Sequence, residues 1–282
     1  MQFGGPAFTF ATTNIAPGSP GTVVTFGNSN ADSTQTTLLT ALAYDAHLLV
    51  VSFGGTNLAE ENNALADILI DRAGGTSWSA FIDDLVAGFA SPLSSSGAVQ
   101  NCTYAFPIWI PAGASLGFQG RRAGATADPS GATVHISVFG RPTNPEMWWC
   151  GQGVESLGIN AGTSQGTTVA PSASSNTYGS WTTIGTSTRR YGSLSFGVNG
   201  PNATSVTSGR AQNFQIGEGS SQLLGTPTFK TAYSVGGGTA IMRRQGFDPM
   251  MVDIAAGTTL QARAKDSGAA AGSFNMALYG VY

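Results

Sequence analysis

Apolar and polar positions alternate with a period of two along short stretches of this chain. Val134, Ile136 and Val138 are separated by His135 and Ser137, and Phe274, Met276 and Leu278 by Asn275 and Ala277. Successive side chains of a strand point to opposite faces, so this pattern predicts strands with one buried side. Leu116–Gln119 reads as another strand, and Arg121–Gly131 as the loop that closes a hairpin with the strand at Val134. Lys265–Gly272 makes the same turn later in the chain. The triplets Pro111-Ala-Gly113 and Ala255-Ala-Gly257 supply tight turns into these hairpins, because glycine tolerates the backbone such turns need. One stretch conflicts with the rest. Asn57–Arg72 has helical spacing, whereas Asn202–Gly217, its counterpart under the repeat described next, is too rich in Thr, Ser, Gly and Asn for a stable helix. If both fold alike, Asp67–Asp71 and Asn213–Gly217 are strands.

The predicted elements recur. Ile15-Ala-Pro-Gly18 and Ile159-Asn-Ala-Gly162 stand 144 residues apart, as do His47–Gly55 (HLLVVSFGG) and Tyr191–Gly200 (YGSLSFGVNG). Ile110-Pro-Ala-Gly113-Ala-Ser-Leu116 and Ile254-Ala-Ala-Gly257-Thr-Thr-Leu260 keep the interval, and Phe106-Pro-Ile108 and Met250-Met-Val252 keep it upstream. Val134–Gly140 and Phe274–Gly280 match at 140, so the last loop is four residues shorter in the second copy. Each copy holds about eight segments joined by Gly, Pro and Ser turns. That count predicts an all-β chain of two tandem jelly-roll-like β-sandwich domains. The expected division is 1–143 for the first repeat, 144–153 for a linker and 154–282 for the second. Pro142, Pro145, Gly151 and Gly153 interrupt strand pairing there.

Composition separates this reading from disorder. Charged residues make up only 10% of the 282, but apolar residues reach 41% and aromatics 10%. Small polar residues and 39 glycines fill the difference, as expected for many short strands and turns. Residues 1–144 carry nine acids and four bases, a net −5, and residues 145–282 six acids and eight bases, a net +2. This mild dipole is compatible with head-to-tail contact and far too weak for a nucleic-acid partner. MQFGGPAFTF at the start has no basic segment, so no signal peptide is expected, and no run of 18 apolar residues predicts a membrane span.

The candidate chemistry is sparse. Cys102 and Cys150 are too few for a disulfide framework, and both a bond between them and two separate thiols are open. His47 and His135 are not spaced as metal ligands. Asp83-Asp84, Glu60-Glu61 and Asp67/Asp71 form carboxylate clusters without a calcium-loop pattern. No Gly-x-Ser-x-Gly elbow or phosphate-binding glycine loop occurs. No catalytic, cofactor-binding or metal-ligating residue is therefore predicted, and no cofactor. The candidate contact residues are Trp148 and Trp149 in the linker and three arginine pairs, Arg121-Arg122, Arg189-Arg190 and Arg243-Arg244. The tryptophans read either as packing between the two sandwiches or as a contact with a neighbouring subunit or a sugar. The arginines read either as solvated loop ends or as partners for acidic patches on another subunit.

Several phrases carry a resemblance. Trp181-Thr-Thr-Ile…Tyr191-Gly-Ser-Leu, Asn213-Phe-Gln-Ile-Gly217, Pro249-Met-Met-Val…Ala256-Gly257-Thr-Thr-Leu260-Gln-Ala-Arg263 and Met276-Ala-Leu-Tyr-Gly280 occur in the second half. Asp67-Ile-Leu-Ile, Phe106-Pro-Ile-Trp-Ile-Pro-Ala-Gly113 and Val138-Phe-Gly140 occur in the first. Their order resembles that in tailed-bacteriophage virion structural proteins built of jelly-roll-like β-sandwich repeats. Thr37 stands where the first Trp of that pattern is expected, and the second copy lacks the Asp of Asp-Ile-Gly. The resemblance implies a non-enzymatic protein of the virion, assembled in the host cytoplasm, that decorates or attaches to the capsid as head decoration, spike base, collar or tail appendage. Its implied partners are other capsid or tail subunits and copies of itself. A module that binds a host surface glycan and a double-barrel major capsid protein are the alternatives.

Overall fold

The computed structural model describes residues 8–15, 21–55, 64–74, 76–88, 102–122, 132–144, 148–160, 166–199, 210–222, 229–233, 249–268 and 273–282. All elements among them are strands, and all pairings between strands are antiparallel. The first half contains β1 (Ala11–Thr13), β2 (Thr22–Val23), β3 (Thr36–Leu39), β4 (Leu48–Gly55), β5 (Ala64–Asp71), β6 (Ser79–Gly88), β7 (Cys102–Phe106), β8 (Ser115–Arg122) and β9 (Ala132–Phe139). The second contains β10 (Val154–Leu157), β11 (Thr167–Val169), β12 (Thr182–Thr186), β13 (Tyr191–Asn199), β14 (Arg210–Glu218), β15 (Ser221–Gln222), β16 (Phe229–Tyr233), β17 (Met250–Ile254), β18 (Thr259–Asp266) and β19 (Phe274–Val281).

The pairing is nested. β1 and β2 pair with β9, β3 with β8, β4 with β7 and β5 with β6, like one long hairpin. Rolling the hairpin up then joins β9 to β4 and β8 to β5. The outcome is two facing sheets, β1-β9-β4-β7 and β3-β8-β5-β6, the strand order of a jelly roll. In the second half the sheets are β10-β19-β13-β17, with β11 also on β19, and β12-β18-β14-β15, with β16 also on β14.

Gly113 and Gly257 take left-handed φ values of 83° and 84°. Each donates its N–H across the sandwich at 2.7 Å, Gly113 to the Leu42 carbonyl and Gly257 to that of Ser187. The expected turns are therefore present, with glycine where L side chains are strained. Ala64–Asp71 is a strand, not a helix, and all eight of its residues are buried. A strand covered on both faces needs no alternation, which explains its helix-like run of apolar residues.

Two expectations need correction. β8 continues past Gln119 through Arg122, so Arg121 and Arg122 are strand residues and not solvated loop ends; they are 9% and 3% exposed. The His47 and Tyr191 blocks also do not match face for face at 144. Leu49, Val51 and Phe53 point inward, as do Leu194, Phe196 and Val198, so the two strands correspond at an odd offset and not at 144. A one-residue slip in a strand exchanges its faces, so only the odd offset is consistent. The Ile15 and Ile159 phrases lie largely outside the described residues.

The two cores meet at β19. Phe274, Met276 and Leu278 fill the second core, while Ala277, Tyr279 and Val281, on the opposite face, belong to the first. The outer face of the sheet containing β13 and β19 closes the open side of the first sandwich between β6 and β7.

Candidate functional site

The seam between the halves gathers most of the polar chemistry among the described residues. It begins with a bulge. Ala66 pairs with Leu85 and Ile68 with Ile82, so Asp83 and Asp84 together stand against Asp67. Asp84 takes a left-handed φ of 60°, and its N–H donates to Asp67 Oδ1 at 2.7 Å. A bulge turns ladder groups away from their partner strand, and here the second half satisfies several of them. The Val86 N–H donates to the Tyr279 hydroxyl at 2.8 Å, and that hydroxyl donates to the Asp84 carbonyl at 3.0 Å. The Ser156 hydroxyl donates to the Asp83 carbonyl. From the first half, the Tyr104 hydroxyl donates to the Val86 carbonyl at 2.8 Å. The rings of Tyr104 and Tyr279 meet edge to face at 5.4 Å. Gly197 of β13 lies against them, and a Cβ there would come within 2.6 Å of the Tyr104 hydroxyl.

Behind the bulge, Arg121 is held by carboxylates. Its guanidinium donates to Asp32 at 3.0 Å, makes a close ion pair with Asp84 and lies 3.8 Å from Asp67. Burial pushes the Asp67 carboxyl up to about 6, against the N–H from Asp84, with the Asp84 charge adding to the rise. Burial also raises Asp83 and Asp84, although Arg121 opposes it. Burial works against the Arg121 cation, but Asp84, Asp32 and Asp67 prevail and raise its pKa.

A cleft of about 340 Å³ opens on the other side of the bulge, lined by Asp83, Asp84, Val154, Glu155, Ser156, Thr188, Arg189 and Tyr282. Its carboxylates are largely engaged. Glu155 accepts the Thr188 N–H at 3.1 and 3.2 Å and the Tyr191 hydroxyl at 2.5 Å. Burial, then the bond to Glu155, raises the Tyr191 phenol well above its ordinary value. Arg189 lies 5.5 Å from the Tyr282 ring centre. Among the described residues no group of three or more His, Cys, Asp or Glu is placed to hold a metal ion, and no helix is long and apolar enough to cross a membrane.

The predicted contact residues are dispersed. Trp148 donates its ring N–H to the His47 carbonyl at 3.4 Å and packs edge-on to Phe8. Trp149 turns the other way and lies against β13, where a Cβ on Gly192 would meet its ring at 2.6 Å; it remains 39% exposed. Each ring thus packs on a different half. Arg122 binds the Asn28 side chain through Nε at 2.9 Å. Arg189 reaches the cleft, and Arg190 makes an exposed two-pronged pair with Asp253, both bonds at 2.7 Å. Arg243 and Arg244 lie outside the described residues, as do Glu60 and Glu61. Cys150 is a free thiol whose pKa burial raises.

Sequence reasoning missed the seam. The signal was the stretch Phe81-Ile-Asp-Asp-Leu-Val86, where two charges interrupt an apolar strand without alternating. It also missed the outer face of the second half, where Arg263 lies between Trp181 and Tyr178, 4.3 and 4.7 Å from their ring centres, and donates to Gln215 at 2.7 Å.

No protein-family model matches the sequence, and no curated protein sequence matches it. Solved structures share its general course. PNGase F, a glycosylasparaginase from Flavobacterium meningosepticum, is 10% identical at a TM-score of 0.34, covering 96% of this chain and 94% of that one. The STIV MCP is 9% identical at 0.38, covering 97% and 96%. A structure of infectious bursal disease virus Gx strain is 11% identical at 0.25, covering 95% and 69%. Likenesses this distant transfer no activity, ligand or assembly to this chain.

Proposed function

We propose that this protein is a non-enzymatic structural subunit of a virus-like particle, placed in or on the capsid of a bacteriophage or a related virion. The observation that carries the reading is how the polar groups of the seam are used. Asp84, Arg121 and Tyr104 are bonded within the first half and Glu155 and Tyr191 within the second, while Ser156 and Tyr279 bond across to the backbone of the β6 bulge and so join two sandwiches into one unit. β4, β7 and β9 carry no Asp, Glu, Lys or Arg, and such a sheet face loses water at little cost. Many copies on a lattice then gain avidity of about 10²–10⁴ from modest contacts. The phrases shared with tailed-phage virion proteins support the same class. Within it we read 1–143 and 154–282 as two copies of one jelly-roll unit joined by 144–153. The common nested pairing and the matching turns at Gly113 and Gly257 support that division.

The finer role we propose is attachment to a capsid, as decoration, spike base or appendage. A second reading, a double-barrel shell protein, is favoured by the seam itself, in which the face of one sandwich seals the side of the other. Mass spectrometry of purified virions, with sizing of the recombinant protein, tests the class. Presence in particles at stoichiometric amounts supports it, whereas absence from them together with a strictly monomeric protein overturns it. Shells formed by the protein alone favour the second reading, and binding only to preformed capsids favours the first.

A further inference from the structure

The seam uses the sheet of β13 and β19; the other sheet of the second half, β12-β18-β14, turns its outer face away from it. Phe214, Ile216, Leu260, Ala262 and Ala264 point into the second core. Asn213, Gln215 and Gly217 of β14 therefore share the outer face with Lys265, Arg263 and Gln261 of β18, their partners in register. Trp181 lies over Gly217, where a Cβ would meet its ring at 2.8 Å. The Arg263 guanidinium stands 4.3 Å from the Trp181 ring centre and 4.7 Å from that of Tyr178, and its Nε donates at 2.7 Å to Gln215, which is only 9% exposed. Lys265 Nζ lies 5.0 Å from the Tyr178 ring centre. The rings and Gln215 fix the guanidinium, and its Nη1 and Nη2 have no acceptor among the described residues. Nor does Arg263 or Lys265 pair with a carboxylate there, although both are half-exposed. The undescribed segments of the second half hold two acids. Glu146 comes two residues before Trp148, which packs on Phe8 of the first half, and Asp248 two residues before β17 of the opposite sheet.

We propose that this face binds an acidic saccharide, with the sugar carboxylate held by the Nη edge of Arg263 and by the Lys265 ammonium. A guanidinium edge offers two parallel N–H donors that match the two oxygens of a carboxylate. The clamp has already ordered the arginine, so binding does not bear that cost again. The rest of the face suits a sugar better than a protein. Around the clamp stand the amides of Gln215 and Gln261 and the hydroxyl of Thr183, which can meet sugar hydroxyls, and the half-exposed Trp181 ring. No aliphatic side chain stands among these outward positions of β14 and β18, whereas a protein partner needs an apolar centre. Two cations are too few to follow a nucleic-acid backbone. The site goes beyond the structural role proposed above and does not depend on it.

The test probes the full chain on an array of uronic-acid and sialic-acid oligosaccharides and follows the tightest binder by calorimetry. A neutral galactose oligomer, a glutamate hexapeptide and inorganic phosphate serve as comparisons. Binding of the acidic saccharide is expected to weaken with added salt and to exceed that of each comparison at least about tenfold. Arg263→Lys keeps the charge but loses the fork, and is expected to weaken binding at least about tenfold. Lys265→Gln is expected to weaken it severalfold at an unchanged melting temperature, and it decides the matter should Arg263→Lys fail to fold. The proposal is overturned if no acidic glycan binds, or if the folded variants bind as wild type does. Equal binding of the neutral sugar overturns it too. So does equal binding of the peptide, which would make the face a protein contact, or of phosphate, which would make it an unselective anion patch. None of these outcomes touches the structural role, which is read from particles.

Discussion

Three carboxylates, Asp32, Asp67 and Asp84, surround one guanidinium, and burial outweighs that attraction for Asp67. Its carboxyl titrates near 6, above its value in an unfolded chain. Between about pH 4 and pH 6 the folded state therefore holds the proton more tightly. Stability must fall as pH rises through that window and stay reduced above it. A rise of this size corresponds to roughly 3 kcal/mol at most. Asp67→Asn keeps an oxygen to accept the Asp84 N–H and removes the charge. The variant is expected to be at least as stable as wild type at pH 7 and to show a flatter profile between pH 4 and pH 6 in denaturant titrations. A slope unchanged in Asp67→Asn would show that Asp67 is not the titrating group. This cluster was not legible in the sequence. Arg121 follows Gly120 in a strand whose end could not be read, and its partners come from three separate segments at Asp32, Asp67 and Asp84.

At the scale of elements, what could be read was whatever a strand writes in its own residues. The alternation in Val134–Val138 and the turns at Gly113 and Gly257 are local signals, and they were found. Faces covered by distant parts of the chain were not. β5 and β19 are buried on both sides, so neither shows which side belongs to which core. The two glycine turns offer a comparison. At both positions a Cβ would meet no other atom, so substitution costs backbone strain alone. Gly113→Ala and Gly257→Ala are each expected to lose about 1–2 kcal/mol, and unequal losses would mean that the turns are not doing equivalent work. The bulge in β6 makes a different demand. Tyr279→Phe leaves the Val86 N–H without its acceptor in a buried place, at an expected cost of about 1–3 kcal/mol in chemical denaturation. A neutral substitution would mean that water reaches the seam and replaces the hydroxyl.

For the whole molecule, the decisive property is that β19 serves two cores at once. If Ala277, Tyr279 and Val281 contribute to the first core as fully as Phe274, Met276 and Leu278 do to the second, neither half can unfold without exposing apolar surface of the other. Buried apolar surface stabilises by about 25 cal/mol per Å², so a shared strand couples the halves more strongly than the small polar interfaces that usually separate domains. The intact chain should therefore melt in one transition, with calorimetric and van't Hoff enthalpies in agreement. Gly197→Val drives a branched side chain against the Tyr104 hydroxyl and Val86 and should prise the halves apart. Overpacking of this kind costs about 1–3 kcal/mol, and at this position it should also divide the single transition into two, because it weakens the coupling more than either core. Two transitions in the unmodified protein would place the seam among ordinary domain contacts and reduce β19 to a strand of the second sandwich alone.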